Sequence, residues 1–519
     1  MKNKRKKIAI YCELDQNSGL GHLKRMEALY LEFKKLNHDC FFIFNSKKKK
    51  ILNKYFSNFK ILYFISKQKK DDLQEIIRIL KKKEVDIIIL DSYSMPVSWE
   101  IELVKSKVFV VSIDDHLKKH YSNIVVTNKV SLREKIVVNK NQIWLNGLKY
   151  LLVKKLSKSF RLKKQTNHFN VLLHAGGSSN FRYIKKLAER TIIACLKYNF
   201  KLTVLCTNFL SKKYILDLSK KFNISKNINF VNYNSNFSQN LKKYEIVVGP
   251  AGTTTFETIQ SGAIPFTSPL KNDGRDDDIT WYSVGHLMHL NEKEKQNIQI
   301  IDECWEILIK KYKNLISVLK KDSKKIDGLG PKRLVKEILS LEKNKIKIKI
   351  KKKNSNNLSS SPAKNEHIRI FLNSRNHKKT REVSSNPNHI ISWPEHINWW
   401  LNSKVLKNSV ILNNKPLAFH WSKKIQDKQK SFLISGWFLN KNINNDLNLA
   451  YKVLNFQFNS IKKKYRNITW IVVMKRENKF VERLNKKFGF KDATDVSKKL
   501  IFNIFNNKKK DLNAMEIKL

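Results

Sequence analysis

The chain has 519 residues, enough for two to four domains, and an apolar fraction of 41% that supports buried cores. Its formal net charge of +59 is spread along the whole length, with no recognised nucleic-acid module and no aromatic residues interleaved with arginine. It therefore reads as compositional bias, not a nucleic-acid stripe, and leaves open a weak association with anionic surfaces. Five scattered cysteines with no CxxC pair argue against a zinc site or disulfide framework and fit a reducing cytosol. The basic start, Met1 to Lys7, leads into an apolar run, Ile8 to Cys12, too short for a signal peptide, and no run is long enough to span a membrane. A cytoplasmic protein is expected.

Strand patterns fall at Lys7–Cys12, Asp39–Phe44, Ile61–Phe64, Val85–Leu90, Val108–Ile113 and Ile124–Thr127, most of them separated by helical patterns, one of which is expected at Arg25–Leu36. That alternation predicts a parallel sheet with crossover helices over residues 1–160. A second α/β segment, 165–340, carries strands at Val171–Leu173, Lys201–Leu205, Ile228–Val231 and Ile246–Val248. From 341 to 364 the chain turns charged and polar, with Ile and Lys alternating over 345–353, and reads as a linker in preference to an edge strand. The last segment, 365–519, is α+β in pattern, with strands near Val410–Leu412, Leu417–Trp421, Ser431–Phe438 and Thr469–Met474.

Two loops carry candidate chemistry. After the first strand comes Gly19-Leu20-Gly21-His22, with Arg25 at the start of the helical pattern. The glycines let backbone approach a ligand, and the histidine can exchange a proton near neutral pH; the plainer reading is a capping histidine. After the strand Ile246–Val248 comes Gly252-Thr253-Thr254-Thr255-Phe256-Glu257. Small residues at a helix start offer N–H groups to a diphosphate, and Glu257 could accept from ribose hydroxyls; the alternative is a self-capped helix with a solvated Glu257. Gly176-Gly177 repeats the device after Val171–Leu173, as a phosphate contact or an ordinary turn. The run Asp276-Asp277-Asp278 reads as a solvated acidic loop, and no metal is expected.

Several separate blocks then coincide in order and spacing. They are Gly19 to His22 with Arg25, Asp91-Ser92-Tyr93, Asp114-Asp115, Gly147 to Leu152, Ala175 to Ser178, Gly249 to Glu257 and Asp327 to Gly330. Through them, Lys7 to about Arg333 resembles the hydrolases of UDP-2,4-diacetamido-2,4,6-trideoxy-β-L-altropyranose in pseudaminic acid synthesis, relatives of the MurG-like GT-B glycosyltransferases. The resemblance implies two Rossmann-like domains with a UDP-sugar in the cleft, no cofactor, His22 as catalytic base and Gly252 to Glu257 as the nucleotide loop. Asp15 is the candidate partner of His22. Gly19, Gly21, Arg25, Gly176, Gly177, Thr253, Thr254 and Asn272 join the candidate binding set. The chain departs from the family at Asp15-Gln16-Asn17-Ser18 and at Asn272-Asp273. A glycosyltransferase using the same donor, and a non-catalytic basic binding protein for nucleic acid or anionic glycan, are the alternatives.

A second resemblance rests on Asn478 to Phe490, Arg375-Asn376 and Ile391 to Trp400. These look like the GNAT acyltransferase superfamily, in particular its sugar N-acetyltransferases. That implies an acetyl-CoA-dependent module, with Asn478 and Asn485 as candidate site residues. The usual glycine-rich loop is replaced by Asn440-Lys441-Asn442-Ile443-Asn444-Asn445, and the usual general-acid tyrosine by Asn485. A degenerate docking domain, with His396 and Trp399-Trp400 as core residues, is the alternative.

Overall fold

Short apolar runs in the first part of the chain form parallel strands. They are β1 (Lys7–Cys12), β2 (Asp39–Asn45), β3 (Ile61–Phe64), β4 (Ile87–Asp91), β5 (Phe109–Ile113), β6 (Ile124–Thr127) and β7 (Ile143–Asn146). Of these, β1, β4, β5 and β6 are buried on both faces, as the middle of a parallel sheet requires. The computed structural model describes residues 5–12, 21–45, 59–64, 69–130, 142–156, 168–176, 184–206, 228–232, 237–269, 278–344, 357–384, 386–413, 415–427, 430–443, 447–504 and 511–519. It divides into two units, Met1–Ile350 and Lys351–Leu519.

The first sheet runs β3-β2-β1-β4-β5-β6-β7, with every pairing parallel. Alternate residues feed two cores. Ile8, Ile10 and Cys12 pack with helix α1 (Gly21–Lys35), while Ala9 and Tyr11 pack with α2 (Lys69–Lys82) and α3 (Val97–Lys105) on the other face. The helix read at Arg25–Leu36 starts four residues earlier, which brings His22 into its first turn.

The second sheet uses β8 (Asn170–His174), β9 (Lys201–Cys206), β10 (Ile228–Asn232), β11 (Ile246–Pro250) and β12 (Ile264–Ser268), in the order β10-β9-β8-β11-β12, again all parallel. Helices α4 (Lys185–Lys197), α5 (Thr253–Ser261), α6 (Ile298–Lys310) and α7 (Tyr312–Ser323) accompany it. The expected pair of Rossmann-like sheets is thus present. One helix departs from the expected partition. α8 (Gly330–Asn344), assigned by sequence to the second domain, buries Leu334, Val335, Ile338 and Leu341 in the core of the first sheet beside α1. Its apolar residues repeat at helical spacing and need an apolar face, which the first sheet supplies.

The second unit is built on one mixed sheet, β13-β14-β15-β16-β17-β19-β18. Its strands are β13 (Ser359–Pro362), β14 (Val405–Leu412), β15 (Lys415–Asp427), β16 (Lys430–Leu439), β17 (Thr469–Lys475), β18 (Lys491–Asp492) and β19 (Leu512–Lys518). Its longer helices are α9 (Ile368–Arg375), α10 (Trp393–Trp400), α11 (Leu447–Lys464), α12 (Lys479–Lys487) and α13 (Asp495–Ile504). Neighbouring strands are antiparallel except β16 and β17, which pair in parallel over only three positions, Phe432–Ile434 against Thr469–Ile471. The span read as a linker is narrower at both ends, because α8 runs to Asn344 and Ser359–Pro362 is an edge strand; residues 345–356 lie outside the described residues.

Candidate functional site

In an open parallel sheet, ligands bind beyond the carboxyl ends of the strands where the strand order reverses. The first sheet reverses between β1 and β4, and the second between β8 and β11. α1 with His22 follows β1, and Asp91 ends β4. Gly176 follows β8, and Gly252 follows β11. Gly21-His22 and Gly252-Thr253 therefore both sit at reversal points.

His22 is buried, and its Nδ1 lies 2.7 Å from Asp91 Oδ1. A carboxylate only accepts, so Nδ1 carries the proton and donates, which leaves Nε2 as the acceptor. The 3.2 Å approach of Arg25 Nη2 to the same Nδ1 is then a packing contact and not a hydrogen bond. Nε2 is buried with no hydrogen-bond partner among the described residues. Tyr93 packs edge-on against the imidazole, with ring centroids 4.3 Å apart.

Arg25 ties the network together. Its Nε donates to Asp91 Oδ2 at 2.7 Å, its Nη2 to Asp91 Oδ1, and its Nη1 to Asp115 Oδ2 at 2.6 Å. Tyr93 Oη donates to the same Asp115 oxygen at 2.7 Å. Burial alone would raise the Asp91 carboxyl, but Arg25 and then His22 outweigh it and hold the group below its ordinary value. Asp115 behaves alike, driven down by Arg25 against its burial. Tyr93 is pushed up by burial and by the Asp115 charge, so it stays a neutral donor. Both carboxylates are therefore ionised, which stabilises any positive charge that develops on His22.

Opposite the start of α1 stands the first turn of α5. A Cβ built on Gly21 would lie 3.5 Å from Thr253 Oγ1, so the start of α1 faces the start of α5 at van der Waals range. Gly252 N–H is already used, donating to Thr255 Oγ1 at 3.1 Å. The donors left at this helix end are the N–H groups of Thr253 and Thr254, which precede any possible intrahelical acceptor. Glu257 is half-buried and accepts from Ser238 Oγ at 2.8 Å. Burial raises its carboxyl; Ser238 and the nearby Lys24 and Lys154 only partly offset this. Lys154 in turn pairs with Glu27 of α1 at 2.8 Å. Gly176 has φ +68, and a Cβ there would come within 2.9 Å of Pro250 Cγ, so the turn after β8 requires glycine to pack on the strand end before the α5 loop.

The structure thus brings together His22, Gly21, Arg25, Gly252, Thr253, Thr254 and Glu257, with Gly176 beside them. Asp15, Gly19, Gly177 and Asn272 lie outside the described residues. Asp91, not among the sequence-picked site residues, is the carboxylate found on His22. Of the paired block Asp114-Asp115, only Asp115 joins the network. Asp114 accepts from the N–H groups of His116 and Lys118 at 2.8 and 3.0 Å and orders the loop. Among the described residues there is no group of three or more His, Cys, Asp or Glu able to hold a metal, and no helix is long and apolar enough to cross a membrane.

In the second unit, β16 and β17 stop pairing after Ile434 and Ile471, and a cavity of about 690 Å³ opens beyond them. Ser435–Leu439, Val472–Met474, Asn478 and Asn485 line it, with Trp399 and Trp421 among its aromatic residues. Asn478 is the N-cap of α12, accepting from Val481 N–H at 3.2 Å. Asn485 is buried, its Nδ2 3.8 Å from Met474 Sδ. His396, which also lines the cavity, is depressed by burial to about 3 and donates Nε2–H to the carbonyl of Ile368 at 3.1 Å. It is therefore a neutral packing residue.

No protein-family model matches the chain. An uncharacterised protein of Methanocaldococcus jannaschii is 24% identical over 303 residues, covering 55% of this chain and 61% of that protein. The chain therefore spans about three fifths of the length of the curated relative it matches. Among solved structures, MurG of Acinetobacter baumannii is similar at TM-score 0.46 and 10% identity, over 64% of this chain and 99% of that one. UDP-GlcNAc 2-epimerase from Neisseria meningitidis, bound to UDP-GlcNAc, is similar at TM-score 0.47 and 12% identity, over 64% and 99%. An Anabaena protein in complex with UDP-glucose is similar at 0.46 and 11%, over 64% and 99%. Scores below 0.5 leave the fold to be read from the chain's own strand order, which is that of two doubly wound parallel sheets.

Proposed function

We propose that the first unit hydrolyses the bond between UDP and the anomeric carbon of a 2,4-diacetamido-2,4,6-trideoxyhexose, the reaction of the family its motif blocks resemble. One observation supports this reading above the others: His22, held through Nδ1 by Asp91, has a free Nε2 and stands where the first turn of α5 faces α1. Water attacks the anomeric carbon and the C–O bond to UDP breaks, its electron pair leaving with the diphosphate. His22 Nε2 takes the proton from the water. The imidazolium so formed sits against ionised Asp91, and the departing diphosphate meets the N–H groups of Thr253 and Thr254 and the positive end of α5.

The test is release of UDP from the UDP-sugar by the purified chain. His22→Ala is expected to lower the rate by about 10²–10⁴-fold. Full turnover in that variant removes His22 from the mechanism. UDP release only when an acceptor alcohol is present establishes the glycosyltransferase instead. Steeply salt-dependent DNA binding with no UDP affinity establishes the basic binding protein.

A separate observation favours a second activity. The early end of the β16–β17 pairing exposes two strand edges to a cavity large enough for a cofactor-sized ligand. With the GNAT-like motifs, this supports acetyl transfer from acetyl-CoA to the amine of a sugar. The edges at Ser435–Leu439 and Val472–Met474 would hold the coenzyme, which supplies the acetyl thioester. Release of free thiol from acetyl-CoA in the presence of a UDP-linked amino sugar is the expected result, and its absence sinks this second reading.

A further inference from the structure

We infer that Arg375 is the diphosphate-binding residue of the second unit's cavity, supplying a contact that the main chain of Lys441, Asn442 and Ile443 in the turn after β16 does not. The inference rests on the acyl-transfer reading of that unit. Three consecutive N–H groups of the turn are already bonded. Lys441 N–H donates to Ser374 Oγ at 3.2 Å, Asn442 N–H to Asn440 Oδ1 at 3.3 Å, and Ile443 N–H to the Asn440 carbonyl at 2.8 Å. The Asn440 amide is occupied as well, donating to the Pro416 carbonyl at 2.8 Å. These three main-chain donors are spent on Ser374 and Asn440 and do not converge on a phosphate. Lys441, Asn442 and Ile443 therefore offer no main-chain donor to an anion at this end of the cavity, whereas Arg375 offers a side-chain one.

The bond from Lys441 to Ser374 sets the turn against the C-terminal end of α9, where Arg375 is the next residue and lines the cavity. Arg375 Nη1 is buried and without a hydrogen-bond partner among the described residues. Burial, and then the like charge of Arg381, lowers its guanidinium, and Glu395 offsets only part of this. Glu395 is itself 3.2 Å from His389 Nε2. Arg381 is occupied, with its Nε and Nη1 donating to the carbonyls of Asn376 and Pro387. Lys379 and Lys441 add positive charge at the rim. A cation left short of partners in a cavity wall is a cost in the empty protein, and an arriving diphosphate relieves it through a two-pronged contact that only a guanidinium offers. Coenzyme A and a UDP-linked acceptor both carry that group.

The full chain and its Arg375→Gln and Arg375→Lys variants are titrated calorimetrically with coenzyme A, UDP and pantetheine. Pantetheine lacks the diphosphate. In Arg375→Gln, coenzyme A is expected to bind about 10–100-fold more weakly, with pantetheine affinity unchanged and the ligand-free melting temperature no lower. Arg375→Lys is expected to fall between, having charge without the fork. If coenzyme A is unaffected but a second UDP site, beyond that of the first unit, is lost, the inference stands with the acceptor as the source of the diphosphate. Unchanged coenzyme A and UDP affinities in Arg375→Gln overturn it while leaving the acyl-transfer reading intact. Loss of pantetheine binding as well makes the residue structural and overturns it. A wild-type chain that binds neither coenzyme A nor a second UDP removes both this inference and the reading beneath it.

Discussion

The two candidate sites are built from opposite materials. In the first unit, buried charges are satisfied by one another: His22, Arg25, Asp91, Asp115 and Tyr93 form a closed network in which one imidazole nitrogen is left over. In the second, the wall is aromatic, the histidine in it is neutral, and a guanidinium lacks a full set of partners. A saturated network fixes one group in one orientation, which suits proton transfer. An apolar wall with an unsatisfied guanidinium suits holding a long, partly anionic ligand. The difference separates a site prepared for a chemical step from one prepared for binding energy.

The largest expected effect comes from opening the closed network. Asp91→Asn keeps the shape but removes the charge that orients and stabilises His22, so UDP release should fall by about 10²-fold or more. Leaving Arg25 short of a buried partner should also cost about 3–5 kcal/mol of stability, read from the urea midpoint. An unchanged rate would mean that saturation of the network serves folding alone. A smaller effect is expected from Gly249→Ala. The new Cβ would fall 2.5 Å from His174 Nε2 and 2.6 Å from its carbonyl oxygen, so β8 and β11 must part just below the nucleotide loop, at a cost of about 1–3 kcal/mol.

Titration sharpens the contrast further. Burial alone would lower His120, yet the carboxylates of Asp114 and Glu100 raise it to about 9. Its folded value lies above its ordinary one, so its contribution is complete below about pH 6.5 and is lost as pH rises through about 9, up to about 3 kcal/mol. His396 and His420 of the second unit are depressed by burial to about 3 and about 4. Their contribution has the opposite sign, present above about pH 6.5 and lost as pH falls toward those values. Melting followed across pH should show His120→Gln losing its deficit on the alkaline side and His396→Gln on the acid side. Parallel profiles would erase the distinction.

What was legible in the sequence was local. Gly21-His22 and Gly252-Thr253-Thr254 are contiguous, each lies between a strand and a helix, and strand alternation anticipated both parallel sheets. The partners of His22 were not legible as partners, since Asp91 is 69 residues away and reaches it only because β4 pairs with β1. A signal was present: Asp91 is an acidic residue closing the otherwise apolar strand Ile87–Leu90, beside the reversal of strand order. Strands β7, β12, β18 and β19 were missed: β7, β12 and β18 are short, β12 also carries Pro265, and the apolar residues of β19 are interrupted by Asn513 and Glu516. Strand β13 was missed because Ser359–Pro362 has no apolar alternation; it is held by pairing with β14 and by the contact of Ser360 Oγ with His420 Nε2 at 2.9 Å. The boundary at α8 was misread because its apolar stripe does not say which sheet it will cover.

That returning helix ties the assembly of the chain to its order of synthesis. The first sheet emerges early, but one flank of its core stays uncovered until Leu334, Val335 and Ile338 have left the ribosome. Nearly two hundred residues separate β7 from that closing segment, and the second sheet is made in between. The early half is thus exposed to aggregation for the time needed to make the later one, and truncation ahead of Gly330 should leave it insoluble.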